Sequence, residues 1–210
     1  ERAIATQQTG FWFVAQSRPD LPDEIGSLLW FGTDDAATSY LTPIYVCTRE
    51  IPECFRVGNG DMLTYSPTSS FWINNRVSNA CYKAYNIMQP TVRAKIDAWE
   101  AEMAGAVAKA DAEALVLYEA CAAAAPKMIK RNGTARKSPD AFSSVKDYLT
   151  EFSVSNADRI FNDWVALEEF LLVKFIDGNV KAQNPDGSWV TNGTGNIPAD
   201  ISQPGYTDKW

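Results

Sequence analysis

The chain has 210 residues, of which 46% are hydrophobic and 12% aromatic, and its net charge is −7 with a pI near 4.7. That length and apolar content suit one domain with a real core and exclude intrinsic disorder, while the acidic balance argues against nucleic acid and anionic membrane as partners. There are no histidines, which excludes a Ser-His-Asp triad, a Cys-His dyad and any His-ligated metal site, and no apolar run is long enough for membrane insertion.

The region Thr9–Cys47 is read as three consecutive strands. Ala3–Arg18 carries large apolar groups at both parities, which predicts a strand covered on both faces. Pro19, Asp20, Pro22 and Asp23 then make a surface turn, so Arg18 reads as a turn residue. Ser27–Gly32 is a second run, closed by Thr33-Asp34-Asp35. Tyr40–Cys47 is a third, and Pro43 inside it predicts an edge or bulged strand, because proline cannot donate to a ladder. Short turns between successive runs predict an antiparallel meander. Asp34 and Asp35 do not form a catalytic carboxylate pair on a strand, where neighbours point to opposite faces; they read as a turn.

Thr48–Thr68, with Pro52, Gly58, Asn59, Gly60, Asp61 and Pro67, reads as a loop crossing from sheet to helices. From Ser69 the period changes. Phe71, Trp72, Val77, Ala80, Cys81, Ala84 and Tyr85 predict a helix that Ser69 or Ser70 caps and that ends before Pro90. A second helix starts near Pro90. Its stripe of Val92, Ile96, Trp99, Met103, Ala106, Ala110, Ala114, Leu117 and Cys121 predicts a long element over Thr91–Ala123. Lys127–Lys137 reads as a solvated basic connector, and Ser138-Pro139-Asp140 as a helix start. Ala141–Phe152 and Asn156–Phe175 present Ile160, Trp164, Leu167, Leu171 and Phe175, the expected antiparallel partner of the second helix. In the tail, Val180 and Trp189–Val190 are expected to form a hairpin around Asn184-Pro185-Asp186-Gly187. The expected organisation is a strand block with its crossing loop over 1–68, a helical region over 69–180 and an irregular tail over 181–210.

Cys47, Cys54, Cys81 and Cys121 contain no CxxC, so zinc is not expected. Cys47 and Cys54 are either a small disulfide loop or two buried thiols; Cys81 and Cys121 read as core. No self-contained catalytic motif appears. Any base must be a carboxylate, Lys, Tyr or a terminal amine, or lie on another segment.

Several stretches carry a family resemblance: RAI at Arg2–Ile4, Gln8-Thr9, Phe13-Val14, Gln16-Ser17-Arg18, LPDEIGSLLWFGTDDAATSYLTPIY at Leu21–Tyr45, IPECFRVGNG at Ile51–Gly60 and SSFWINNRVSNACYKAYNIMQPTV at Ser69–Val92. They resemble the cysteine dipeptidases of the N-terminal-nucleophile hydrolase superfamily, the dipeptidase A type. The resemblance implies an α+β fold: part of an αββα sandwich with antiparallel strands at the N-terminal end, followed by a long helical hairpin. It implies hydrolysis of dipeptides by a cysteine made N-terminal through processing, whose own α-amino group acts as base, and no cofactor. Zero histidines fit that chemistry. Glu1 is not cysteine, so the expected nucleophile lies upstream and the chain is expected to be the C-terminal portion, inactive alone, with the upstream half of the same protein as its partner. The N-terminus at Glu1 is expected to be a cut. The resemblance further implies a catalytic role for Arg2, which would lower the thiol pKa and steady developing negative charge, and a bacterial, extracytoplasmic (periplasmic or secreted) setting. Two other readings stay open: a related amidase acting on penicillin- or bile-salt-type acyl-amides, and a non-catalytic helical module that binds a protein through the Val92–Cys121 seam. A homo-oligomer is also left open.

Overall fold

The structure, a computed structural model, describes residues 5–124, 141–191 and 193–203. The fold is α+β: small antiparallel sheets and long helices. Strands β1 (Phe11–Ser17), β2 (Ser27–Thr33) and β3 (Thr42–Tyr45) form the expected meander in the order β1-β2-β3. Phe13 pairs with Phe31 and Phe31 with Thr42, while Gln16 pairs with Leu28 and Leu28 with Tyr45. Pro43 sits on the edge strand, opposite Trp30, where its missing donor costs no ladder bond on the open side. Gly32 permits a close approach: a Cβ there would lie 2.6 Å from the Tyr40 carbonyl oxygen.

Alternation along the strands divides the sheet into two faces. The inner face puts Leu28 and Tyr45, both at most 1% exposed, against the helices. The outer face is Phe11 and Phe13, exposed, with half-buried Leu29, Phe31 and Ile44. The first strand lacks the expected cover among the described residues: Phe11 and Phe13 on one face and Val14 on the other are exposed, because α2 and α3 pack on β2 and β3. Phe11 stacks on Phe31 at 6.1 Å and Phe31 meets Phe55 edge-on at 5.1 Å, so the outer aromatics form one continuous patch.

Helix α1 spans Ser70–Lys83 and α2 spans Tyr85–Ala124. The break falls at Ala84 (φ −147°, ψ 55°), earlier than Pro90, which lies inside α2. The Ala84 carbonyl accepts from the amides of Ile87 and Met88 and starts the new helix, leaving proline in its second turn. Helix α3 is one element, Ser143–Lys174, where two segments were expected. It runs antiparallel to α2: Arg159 pairs with Glu102 at 2.8 Å, Tyr148 Oη donates to Glu113 at 2.5 Å, and Cys121 Sγ lies 3.1 Å from Ser144 Oγ. The long stripe of α2 is buried at Val92, Ile96, Trp99 and Met103 against Ile160, Trp164, Leu167 and Leu171 of α3, and at Val107, Ala110 and Ala114 against Val145 and Leu149 of α3 and Leu28 and Tyr45 of the sheet.

Sheet and helices are also tied by directed bonds. The Tyr45 amide donates to Ser153 Oγ at 3.1 Å, Trp99 Nε1 donates to the Leu41 carbonyl at 2.7 Å, and Arg18 pairs with Asp111. The tail holds the expected turn around Gly187 (φ 85°), with Gln183 bridging to Trp189, but Val180 does not join Trp189–Val190: it lies in β4 (Asn179–Lys181) and pairs with Ile197 of β5 (Asn196–Pro198). Among the described residues no helix is long and apolar enough to cross a membrane. The connector 127–137 and the helix start at 138–140 lie outside the described residues.

Candidate functional site

Polar residues gather at one seam, where the turn after β2 meets α1. Trp30, Phe31 and Gly32 carry β2 into this turn, and Asp34 leaves the strand path with φ +66°, a conformation that Asp tolerates through its short polar side chain. Its amide donates to the Gly10 carbonyl at 3.1 Å, so the turn is anchored to β1. Asp35 accepts from the Ala37 amide at 3.0 Å through Oδ1 and from Tyr82 Oη at 2.9 Å through Oδ2. Asn75 Nδ2 donates to Asp34 Oδ1 at 3.1 Å. Both carboxylates are wholly buried. The reading of Asp34-Asp35 as a turn holds, but the turn is shut against a helix, and it brings both side chains to one surface.

One helical turn earlier, Ser70 Oγ lies 3.0 Å from both Thr33 Oγ1 and Tyr40 Oη, and Asn74 Nδ2 donates to Thr33 Oγ1 at 3.0 Å and to Ser70 Oγ at 3.2 Å. The α1 stripe that faces the turn is thus Ser70, Asn74, Asn75, Ser78 and Tyr82, the three-, four- and seven-residue spacing of one helical face. Burial pushes the Asp34 carboxyl up from 3.8 to about 6, against the lowering effect of the Asn75 bond. Burial, followed by the bond to Asp35, raises the Tyr82 phenol.

Each thiol with a resolved shift is shifted away from reactivity. Burial raises Cys47, and it pushes Cys54 and Cys81 up to about 12; Asp35 adds to the shift at Cys81. A thiol is nucleophilic as thiolate, and burial disfavours that form at all three. All four are free, which resolves the Cys47–Cys54 alternatives in favour of thiols.

The sequence-derived site residue, Arg2, lies outside the described residues. Arg18 is not the surface residue its RPDLP context predicts: it pairs with Asp111, donates to the Ile25 carbonyl at 2.6 Å and lies over the Tyr45 ring, whose hydroxyl donates to Asp111 at 2.7 Å. It staples the β1–β2 turn to α2. The seam residues Asn74, Asn75, Ser78 and Tyr82 were not picked out from sequence. Their signal is faint: amides and a serine interrupting an otherwise apolar stripe next to Ile73, Val77 and Cys81. Among the described residues no three Cys, Asp or Glu side chains gather as a metal site.

One comparison points this histidine-free α+β chain towards the peptidases: the model of peptidase family C69 matches residues 1–98. Over residues 1–98 the chain is thus similar to peptidase family C69, in agreement with the cysteine-dipeptidase resemblance. The match contains the whole sheet, the crossing loop, α1 and every seam residue, and ends inside α2. No curated protein matches the chain.

Proposed function

We propose that this chain is the C-terminal part of a cysteine dipeptidase, in which an N-terminal cysteine on an upstream segment attacks the dipeptide carbonyl, forms a thioester and releases it to water, with its α-amino group as base. The observation that carries this reading is the outer face of the sheet. Five apolar side chains, Phe11, Phe13, Leu29, Phe31 and Ile44, lie outside the clusters that α1, α2 and α3 bury, and a contiguous aromatic patch of this kind marks a surface built to be covered. A second sheet laid on it gives the αββα sandwich. The raised thiols of Cys47, Cys54 and Cys81 support a nucleophile supplied from elsewhere.

The protein-binding alternative required the α2 stripe to be exposed; that stripe is packed on α3 and the sheet. In the dipeptidase reading the chain contributes the wall of the site and no attacking group. Purified 1–210 is therefore expected to hydrolyse no dipeptide, while the same chain joined to its upstream segment does, with loss of activity when the processed cysteine is replaced by alanine. Appreciable dipeptide hydrolysis by 1–210 alone overturns the reading.

A further inference from the structure

We propose that the seam between the β2–β3 turn and α1 binds a hard metal cation of the calcium class through Asp34, Asp35 and neutral oxygens of α1. The starting point is a charge imbalance. Asp34 and Asp35 are adjacent and 0% exposed, yet no lysine or arginine among the described residues pairs with either. Their partners are neutral: an amide side chain, a backbone amide and a phenol. Buried carboxylates are ordinarily paired or bound to a metal, since desolvating an unpaired charge costs several kcal/mol.

The second observation is independent of the acids. Ser78 Oγ is buried and without a hydrogen-bond partner, in a residue 1% exposed. On α1 it lies between Asn75, which bonds Asp34, and Tyr82, which bonds Asp35, at spacings of three and four residues, so it shares the helix face that meets the turn both acids occupy. Asn74 Oδ1, Thr38 Oγ1 and Asp34 Oδ2 are unpartnered as well. The Asn74 amide nitrogen is committed to Thr33 and Ser70, which fixes its oxygen as the free end. Every unpartnered atom at the seam is therefore an oxygen. The set has acceptors in excess, with two formal negative charges, no sulfur and no imidazole. That donor chemistry suits calcium, which takes six to eight oxygens from carboxylates, amide carbonyls, hydroxyls and waters in flexible geometry, and it does not suit zinc. Bound there, the ion would lock the Thr33–Ser39 turn onto α1 without taking part in bond cleavage. The inference does not depend on the dipeptidase reading.

The test uses the 1–210 chain stripped with a chelator and titrated with calcium chloride by calorimetry, with magnesium and sodium chloride as parallel arms and thermal unfolding as a second readout. Expected are one saturable calcium site and a rise in Tm at saturation. Asp34→Asn, isosteric and compatible with positive φ, should weaken calcium at least about tenfold, and Ser78→Ala should weaken it less. Asp61→Asn, on an exposed turn, is the control and should leave binding unchanged. Circular dichroism checks that each variant is folded. Absence of a binding heat and of a Tm shift with all three cations means that the seam holds ordered water only and overturns the proposal. Binding that survives in Asp34→Asn and Asp35→Asn overturns it too.

Discussion

Asp34→Asn in metal-free buffer tests the electrostatics of the seam directly. The Asp34 carboxyl sits at about 6 in the folded chain against an ordinary 3.8, because burial penalises its charged form. Between those two values the folded state holds a proton that the unfolded state has lost. Stability is therefore highest below about pH 4 and falls as pH rises through the folded value near 6. At about 1.36 kcal/mol per pH unit the fall amounts to about 3 kcal/mol. Asparagine keeps an acceptor for Asn75, tolerates φ +66° and cannot ionise. Its new Nδ2 replaces an oxygen that already lacks a partner, which subtracts a pH-independent penalty of about 1–3 kcal/mol. The informative quantity is thus the slope. Urea unfolding followed by tryptophan fluorescence at pH 4, 5, 6 and 7, with chelator throughout, should show the parent losing about 3 kcal/mol more than the variant across the range. Parallel profiles would refute the assignment of a desolvated, ionisable carboxylate to this turn.

Asp111→Asn leaves the Arg18 guanidinium, only 17% exposed, without its counter-charge and is expected to cost about 3 kcal/mol in the same urea assay. Phe13→Glu falls on the outer face, where the side chain is 55% exposed. It should change the stability of 1–210 by less than about 0.5 kcal/mol yet, on the proposed reading that an upstream segment covers this face, abolish association with that segment in a size-exclusion mixing experiment.

The meander was legible because its signals are local: apolar runs, turn clusters and a proline that declares an edge. The α2–α3 hairpin was legible because Val92 to Met103 keep one helical period that matches Ile160 to Leu171. The break at Ala84 was not. Proline at position 90 reads as a first-turn residue, and only the Ala84 carbonyl, already engaged by Ile87 and Met88, shows that the helix had begun. The seam was hidden for a different reason. Ser70, Asn74 and Ser78 are polar, so periodicity assigns them outward, toward solvent; Ser70 and Asn74 turn inward because Thr33 and Tyr40 offer bonds that compensate their burial. Arg18 misled in the opposite sense: its neighbours spell a turn, while its partner Asp111 is too far along the chain for any local pattern to find.

The bond from the Tyr45 amide to Ser153 joins residues 108 apart, with consequences for the order of synthesis. The three strands leave the ribosome ahead of α3, which closes their inner face at β3 only after that length of chain has been made. At about 5–20 residues per second this interval lasts roughly 5–20 s. Hairpins form in microseconds, so through that time a paired but uncovered sheet, bearing Leu28 and Tyr45 on one side and Phe11, Phe13 and Phe31 on the other, is presented to whatever shields nascent chains from one another.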